Sequence, residues 1–261
     1  MIIAVFCVIL PRMLTKTQAI VLHAFKYGES RLIVDLFTRQ AGRLSFIVSL
    51  PRSAKGTSKK QFFQPLTILE LEFDLRPKAQ LQKMGDIHLS YPYSSIPFEP
   101  SKISISLFLA EFLYHALKGE QQNPNLYDYI RYSLEWLDNS TSSYANFHLV
   151  FLMHMSKFLG FYPNLEERGE RKETGGEDAF FDLREGRFCQ DAPLHRDFLA
   201  ANEASKIALL MRMNYPTMHL FRMSHTDRQR LLEVALLYYR LHLPDFPELK
   251  SIAVLQELYQ S

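Results

Sequence analysis

The clearest alternation of apolar and polar residues in this 261-residue chain runs from Leu69 to Leu75. Odd-numbered positions in that run are Leu or Phe, and even-numbered positions are Glu or Asp. A period of two predicts a β-strand with one buried face and one wet face. Four more apolar runs of strand length occupy 19–25, 31–38, 44–50 and 79–89. Five short strands so close together in the chain predict a small closed barrel, because closure removes exposed strand edges.

The period becomes helical after 91–100, a stretch with three prolines that predicts a stiff linker. Beyond it, apolar residues recur every three to four positions, as in helices with one buried face. The first predicted helix ends at Gly119, and the others cover 126–137, 144–159, 204–213, 227–243 and 246–259. Within the polar stretch 164–193, two short runs, 180–183 and 187–188, are predicted to pair as a hairpin.

These patterns predict a two-domain α+β protein. The first domain, 13–97, is the barrel, and the second, 98–261, is all-helical apart from an irregular insertion at about 164–193. The first ten residues are apolar, but a membrane-spanning helix needs roughly 20. Because Met13 offers an alternative start, we expect 1–12 to be a start-site extension or a disordered arm.

Charge is divided unequally between the two domains. Residues 13–97 carry 12 Lys/Arg and 6 Asp/Glu, whereas 98–261 carry 17 and 22. With Arg12, which precedes both domains, these charges sum to the net charge of +2. The chain therefore combines a basic module with a mildly acidic one, and we expect a polyanion to bind the first.

The strongest concentration of positive charge lies in the 34 residues from Leu36 to Leu69, which contain no Asp or Glu. Cations neutralise phosphates, and the following Phe62 and Phe63 offer faces for base stacking. The alternative is a solvated Ser/Gly/Lys loop with both Phe side chains in the core. We predict that six residues contact phosphates and that none reads bases: Arg39, Arg43, Arg52, Lys55, Lys59 and Lys60.

Motifs for catalysis and metal binding are absent from the sequence. It contains no phosphate-binding glycine loop, zinc-protease motif or nucleophile elbow. Its two cysteines, Cys7 and Cys189, cannot build a disulfide framework or a four-ligand zinc site. His148 and His154 are six apart, which places them on opposite faces of a helix. We therefore predict a protein of the reducing cytoplasm that is not an enzyme and has no metal or other cofactor.

Several short motifs, in this order and spacing, are similar to those of a known family. They are 15–22, 27–30, Gly42-Arg43, 63–66 with 69–71, 110–113 and 160–165. Their order and spacing resemble those of the RecO family, bacterial recombination mediators of DNA repair, and the resemblance extends over about residues 13 to 260.

The resemblance implies an N-terminal OB-fold barrel, a C-terminal helical domain and no enzymatic cofactor. It implies binding of single- and double-stranded DNA and annealing of complementary strands. It also implies work with RecR to load RecA on strands coated by single-stranded-DNA-binding protein, in the RecF pathway, in the cytoplasm at the nucleoid. Many members carry a four-cysteine zinc knuckle, but 166–190 keeps only Cys189 here. We therefore expect a knuckle-like insertion without metal, organised by the hairpin within 180–188.

Proteins of this family also engage the acidic C-terminal tail of single-stranded-DNA-binding protein, which ends in an apolar residue. An apolar pocket between helices with a cation at its rim suits such a peptide. The alternative is that the same residues only pack the first two predicted helices together. The candidate residues are Phe112, Leu113, Tyr114, Leu117, Tyr127 and Arg131.

Two other functions stay open at this stage. One is an OB-fold protein that binds RNA, and the other is a non-enzymatic adaptor whose helical half binds proteins. Relative affinity for single-stranded DNA and RNA separates the first from DNA repair, and a complete lack of nucleic-acid binding at low salt favours the second.

Overall fold

The computed structural model describes residues 14–50, 60–164 and 180–257. They form two compact units. The first contains the described residues up to Pro92 together with 119–123, and the second contains 93–118 and the described residues from Pro124 onward.

The first unit is a closed five-stranded barrel, as the sequence predicts. Its strands are β1 (Leu14–Tyr27), β2 (Arg31–Thr38), β3 (Gly42–Ser49), β4 (Ile68–Asp74) and β5 (Gln82–Tyr91). The strand order around the barrel is β1-β2-β3-β5-β4, and β4 pairs with β1 to close it. All neighbouring strands are antiparallel except β3 and β5, which are parallel. This is an OB-like barrel.

The barrel core consists of the inward-facing residues of these strands. Leu69, Leu71 and Phe73 of β4 are almost fully buried, which confirms the inward face predicted from the alternation. Leu75 follows the last residue of β4 and is partly exposed. Phe62 and Phe63 pack against the same core, as in the alternative interpretation in which both side chains lie in the core rather than stack on bases.

The second unit is mainly helical and contains a small sheet. The hairpin predicted around 180–188 is present as the strands β6 (Phe180–Asp182) and β7 (Arg187–Cys189), with Phe180 opposite Cys189. The helices are α1 (Pro100–Ala116), α2 (Pro124–Asn139), α3 (Phe147–Phe158), α4 (Ala201–Arg212), α5 (His225–His242) and α6 (Ile252–Glu257). The sheet has the order β7-β6-β8, with β6 (Phe180–Asp182), β7 (Arg187–Cys189) and β8 (Phe198–Leu199).

The last predicted helix, 246–259, is wrong at its start, since α6 begins only at Ile252. Pro247 does not explain the later start, because proline is tolerated in the first turn of a helix, where its missing N–H needs no partner. The backbone N–H groups of Lys250 and Ser251 instead donate to the Glu111 carboxylate, at 3.0 and 2.8 Å. A side chain 139 positions away in the chain therefore sets where this helix starts.

The division between the units falls after Pro92, whereas the sequence places the boundary after Pro97. The backbone N–H groups of Ser94, Ser95 and Ile96 donate to the carboxylate of Asp138 on α2, at 2.8 to 2.9 Å. These bonds fix the linker to the helical unit. Among the described residues, no helix combines the length and apolarity needed to cross a membrane.

Candidate nucleic-acid interface

Three of the six predicted phosphate contacts are among the described residues. Arg39 directly follows β2, is half-buried, and donates its backbone N–H to the carbonyl oxygen of Gln18 at 2.9 Å. Arg43 lies in β3, and Lys60 is exposed at the start of the next described segment. The other three, Arg52, Lys55 and Lys59, lie outside the described residues.

Arg43 is held by other groups of the barrel. Its guanidinium lies 3.6 Å from the buried carboxylate of Asp35, and only 14% of its side chain is exposed. The same carboxylate accepts a hydrogen bond from Ser45 Oγ, directly opposite across β2 and β3. Arg43 therefore neutralises an internal charge, and a phosphate contact by this residue stays a prediction.

The turn before Arg43 depends on Gly42. Its φ of +70° lies in the left-handed region, which favours glycine. A Cβ at this position would stand 2.5 Å from the backbone carbon of Gln121. The Arg43 backbone N–H donates to the carbonyl oxygen of Glu120 at 3.0 Å. Glycine thus lets the segment 119–123 approach the β2–β3 hairpin.

The sheet formed by β1, β2 and β3 has an outer face opposite the barrel core. Strand register places its residues in three cross-strand rows, and the parallel pairing with β5 puts Lys83 beside Ile47. The rows are Tyr27-Arg31-Ser49, Phe25-Ile33-Ile47 and His23-Asp35-Ser45.

Aromatic rings are exposed on this outer face. Phe25 is 41% exposed and Tyr27 is 46% exposed. The guanidinium of Arg31 lies over the Tyr27 ring, 5.1 Å from its centroid, and the His23 ring lies 5.7 Å from that of Phe25. We call His23, Phe25, Tyr27 and Arg31 the aromatic platform. Cations and aromatic faces are the groups that contact phosphates and bases of a single strand, and the β2–β3 face is where OB-folds bind oligonucleotides.

The aromatic platform was not predicted from the sequence. The first strand was predicted to end at Phe25, whereas β1 continues to Tyr27. The outward residues of β1 are themselves aromatic, so apolar residues occupy both faces and the alternation is hidden. The available signal was spacing, because His23, Phe25 and Tyr27 are each two apart and so share one face of a strand.

The predicted peptide-binding residues of the helical unit are mostly buried. Four of the six have no exposed surface, so a peptide cannot touch them unless the core opens: Phe112, Leu113, Leu117 and Tyr127. Tyr114 and Arg131 are partly exposed, and Arg131 Nε donates to Glu135 Oε1 at 2.6 Å. Only these two present any surface to a partner, and their contact with one stays a prediction.

The described part of the insertion is organised by its small sheet. The Phe181 and Phe188 rings meet at 4.9 Å across the hairpin. Asp182 accepts from the backbone N–H groups of Arg184 and Glu185, and its other carboxylate oxygen lies 3.2 Å from His195 Nε2. Burial raises the pKa of Asp182, but these hydrogen bonds outweigh it and the net pKa is lowered. Within 14–50, 60–164 and 180–257, no group of three or more His, Cys, Asp or Glu is arranged to hold a metal.

Comparison with known proteins identifies the family to which this chain belongs. Residues 13–93 match the family model described as Recombination protein O N terminal, and 97–251 match Recombination protein O C terminal. The chain is 50% identical over 247 residues to the DNA repair protein RecO of Phocaeicola vulgatus, covering 95% of this chain and 100% of that protein. It is 48% identical over 248 residues to the RecO of Bacteroides fragilis and 35% identical over 246 residues to that of Flavobacterium psychrophilum. These alignments cover 95% and 94% of this chain, and 100% and 98% of those relatives. The chain therefore belongs to the RecO family of DNA repair proteins.

Proposed function

We propose that this chain binds single- and double-stranded DNA, anneals complementary strands and works without enzymatic chemistry of its own. With RecR, it helps to load RecA on strands coated by single-stranded-DNA-binding protein. Annealing follows from electrostatics: two strands repel each other, and cations that neutralise both lower the repulsion that opposes pairing.

The observation that carries this proposal is the OB-like barrel with exposed aromatic rings and a cation on one sheet face. Arg31 and Lys83 are exposed on that face, and Arg39 and Lys60 lie elsewhere in the same unit. With Arg52, Lys55 and Lys59, these cations form the proposed phosphate contacts. Phosphate contacts carry no sequence information, so we expect binding that is independent of sequence.

Strand annealing is the direct test of the proposal. Complementary oligonucleotides should pair faster with the full-length protein, both bare and when coated by single-stranded-DNA-binding protein. Annealing of bare strands alone would limit the proposal to pairing and remove the part that concerns coated strands. No binding to either DNA form at low salt would refute the whole proposal and favour the protein adaptor.

The three lysines among the predicted phosphate contacts, which lie in the predicted Ser/Gly/Lys loop, can be tested by salt dependence. Each phosphate contact changes the slope of log affinity against log salt by about 0.9 on duplex and about 0.7 on single strands. Replacing Lys55, Lys59 and Lys60 by Ala should reduce the slope on duplex by roughly 2 to 3. The melting temperature should barely change, because surface substitutions usually alter stability by less than about 0.5 kcal/mol. A lowered melting temperature with an unchanged slope would assign the loop a structural role.

The proposed contact with the tail of single-stranded-DNA-binding protein rests on Tyr114 and Arg131. Because Glu135 already pairs with Arg131, an incoming carboxylate must compete with it. Arg131→Glu should therefore weaken binding of a synthetic tail peptide, and Glu135→Gln should strengthen it. DNA affinity should change little in either variant. Equal peptide affinity in both variants and the wild type would remove Arg131 from the site.

An RNA-binding function remains the competing proposal, since a cation and aromatic rings accept RNA as well as DNA. Affinities for single-stranded DNA and RNA of one sequence decide between them. Comparable or tighter RNA binding would favour the competitor.

A further inference from the structure

We infer that the aromatic platform stacks unpaired bases and gives the barrel a contact with single strands that duplex DNA cannot make. This inference rests on the proposed function, since it takes the ligand to be DNA. It separates two tasks within one unit: cations, including Arg31 of the platform, hold phosphates of either form, and the platform rings of Phe25 and Tyr27 hold bases of single strands alone.

The spacing of the rings supports unpaired bases. Phe25 and Tyr27 are two positions apart on one face of β1, so their Cα atoms are separated by about 6.7 Å. Bases of a stacked strand follow one another at about 3.4 Å. Two successive stacked bases therefore cannot each contact one of these rings, whereas a strand with separated bases can. In a duplex the base faces are also covered by their neighbours.

The charges around the rings fit a polyanion. Arg31 lies over Tyr27, and the exposed Lys83 stands at the end of the Phe25 row. The rows contain one carboxylate, Asp35, and it is paired with Arg43 and hydrogen-bonded by Ser45. Glu29, in the turn two residues beyond Tyr27, is the nearest other carboxylate along the sequence. The apolar rings are thus next to accessible positive charge, as single-strand binding requires.

The test uses the full-length protein and two oligonucleotides of equal length, one of thymidines and one of abasic sites. Stacking is worth between about 5- and 160-fold in affinity for each base. The wild type should prefer the thymidine strand by at least that lower factor. The double variant Phe25→Ala/Tyr27→Ala should lose this preference and keep its duplex affinity within about twofold. A strand with 2-aminopurine in place of one thymidine adds a second readout, since its fluorescence changes on stacking in the wild type only.

Matched variants separate loss of stacking from loss of structure. Tyr27→Phe keeps a ring and should keep the preference, and so should Phe98→Ala, which removes an aromatic ring that is 75% exposed in the helical unit. Phe25→Leu/Tyr27→Leu keeps apolar side chains on the strand, so it replaces the Ala pair if that pair does not fold.

The outcomes divide clearly. A preference that survives loss of both rings, or a wild type with equal affinity for both oligonucleotides, would overturn the platform and leave the proposed function intact. A wild type that binds neither oligonucleotide nor duplex at low salt would overturn the proposed function as well.

Discussion

The outer face of β1 and the core of the helical unit place aromatic residues in opposite environments, although the barrel core also buries Phe46 and Phe73 and the helical unit also exposes Phe98. In the helical unit, Phe112 meets Tyr239 edge-on at 4.9 Å and Phe246 at 5.8 Å, and all three are buried. In the barrel, Phe25 and Tyr27 keep more than two-fifths of their surface exposed. A helix surrounded by others buries aromatic rings on several sides, whereas a strand turns every second residue outward. Aromatic residues alone therefore do not locate a binding surface, and the type of element that carries them has to be known.

The two units also differ in how they accommodate a buried carboxylate. Asp35 of the barrel is balanced by a side-chain cation, Arg43. Asp138 of the helical unit is balanced by backbone N–H groups of the linker, and the buried Lys102 donates to its carbonyl oxygen at 3.2 Å. The barrel carboxylate thus depends on one ion pair within a sheet, and the helical one fixes the path of the chain.

The largest expected effect lies in the helical core. Phe112→Ala should lower the free energy of unfolding by about 3 to 5 kcal/mol, the usual cost of truncating a buried Phe. Phe25→Ala should cost less, about 1 to 2 kcal/mol, because Phe25 is already 41% exposed to water. Urea unfolding of the full-length variants measures both. Similar losses for the two would mean that the platform is part of a core and would remove the contrast between the units.

Sequence alone predicted the elements of both units better than their surfaces. The five strands and the closed barrel follow from one alternating run and four short apolar runs, and the apolar stripe of α1 is buried as its period predicts. Exposure of Tyr27 could not be predicted, because it depends on what covers the outer face after the barrel closes. The start of α6 and the attachment of the linker to the helical unit could not be predicted for a related reason. Each depends on a single carboxylate, Glu111 or Asp138, that is distant in sequence.

Exposure also could not be predicted for the six proposed peptide contacts. Apolar residues at helical spacing on two successive helices are expected both in a peptide pocket and in a helix–helix contact. Four of them have no exposed surface, so packing accounts for those four without a ligand. The phosphate contacts were chosen by charge alone, and charge does not reveal that Arg43 faces Asp35.

The next largest effect concerns Asp138. Burial raises the pKa of this carboxyl, but the N–H donors of Ser94, Ile96 and Ser95 outweigh it, so the net pKa is lowered from the ordinary 3.8. Asp138→Asn places an amide N–H₂ against backbone donors and should cost about 2 to 3 kcal/mol at pH 7. The difference in unfolding free energy between the wild type and Asp138→Asn, measured from pH 7 to pH 3, gives the size of this cost.

The direction of the pH effect follows from the lowered pKa. Because the folded value lies below the unfolded one, the carboxylate contributes its full stability above about pH 3.8 and loses it as pH falls towards the folded pKa. The gap between wild type and Asp138→Asn should therefore be constant at neutral pH and narrow below pH 3.8. Asp245→Asn is the control, since that carboxylate is 84% exposed and 3.9 Å from Lys118. A gap that stays constant down to pH 3 would show that the charge of Asp138 is not what holds the linker.

The smallest expected effect separates the two roles of Arg43. Arg43→Gln leaves the buried Asp35 carboxylate without its cation and should cost about 1 to 3 kcal/mol. Adding Asp35→Asn removes the charge that needed neutralising, so the double variant should recover most of the lost stability. Chemical unfolding of the two single variants and the double variant measures this coupling.

The recovered double variant then reports on DNA without interference from folding. If Arg43 only balances Asp35, the slope of log affinity against log salt on single-stranded DNA should be the same for the double variant and the wild type. A phosphate contact by Arg43, as predicted from charge, would instead reduce the slope by about 0.7. Arg31→Gln is the matched comparison, because its guanidinium lies over Tyr27 on the exposed face and should reduce the slope by that amount. A reduced slope for Arg43 with an unchanged slope for Arg31 would move the phosphate path along the outer face, from the Tyr27-Arg31-Ser49 row to the hairpin end of β2 and β3.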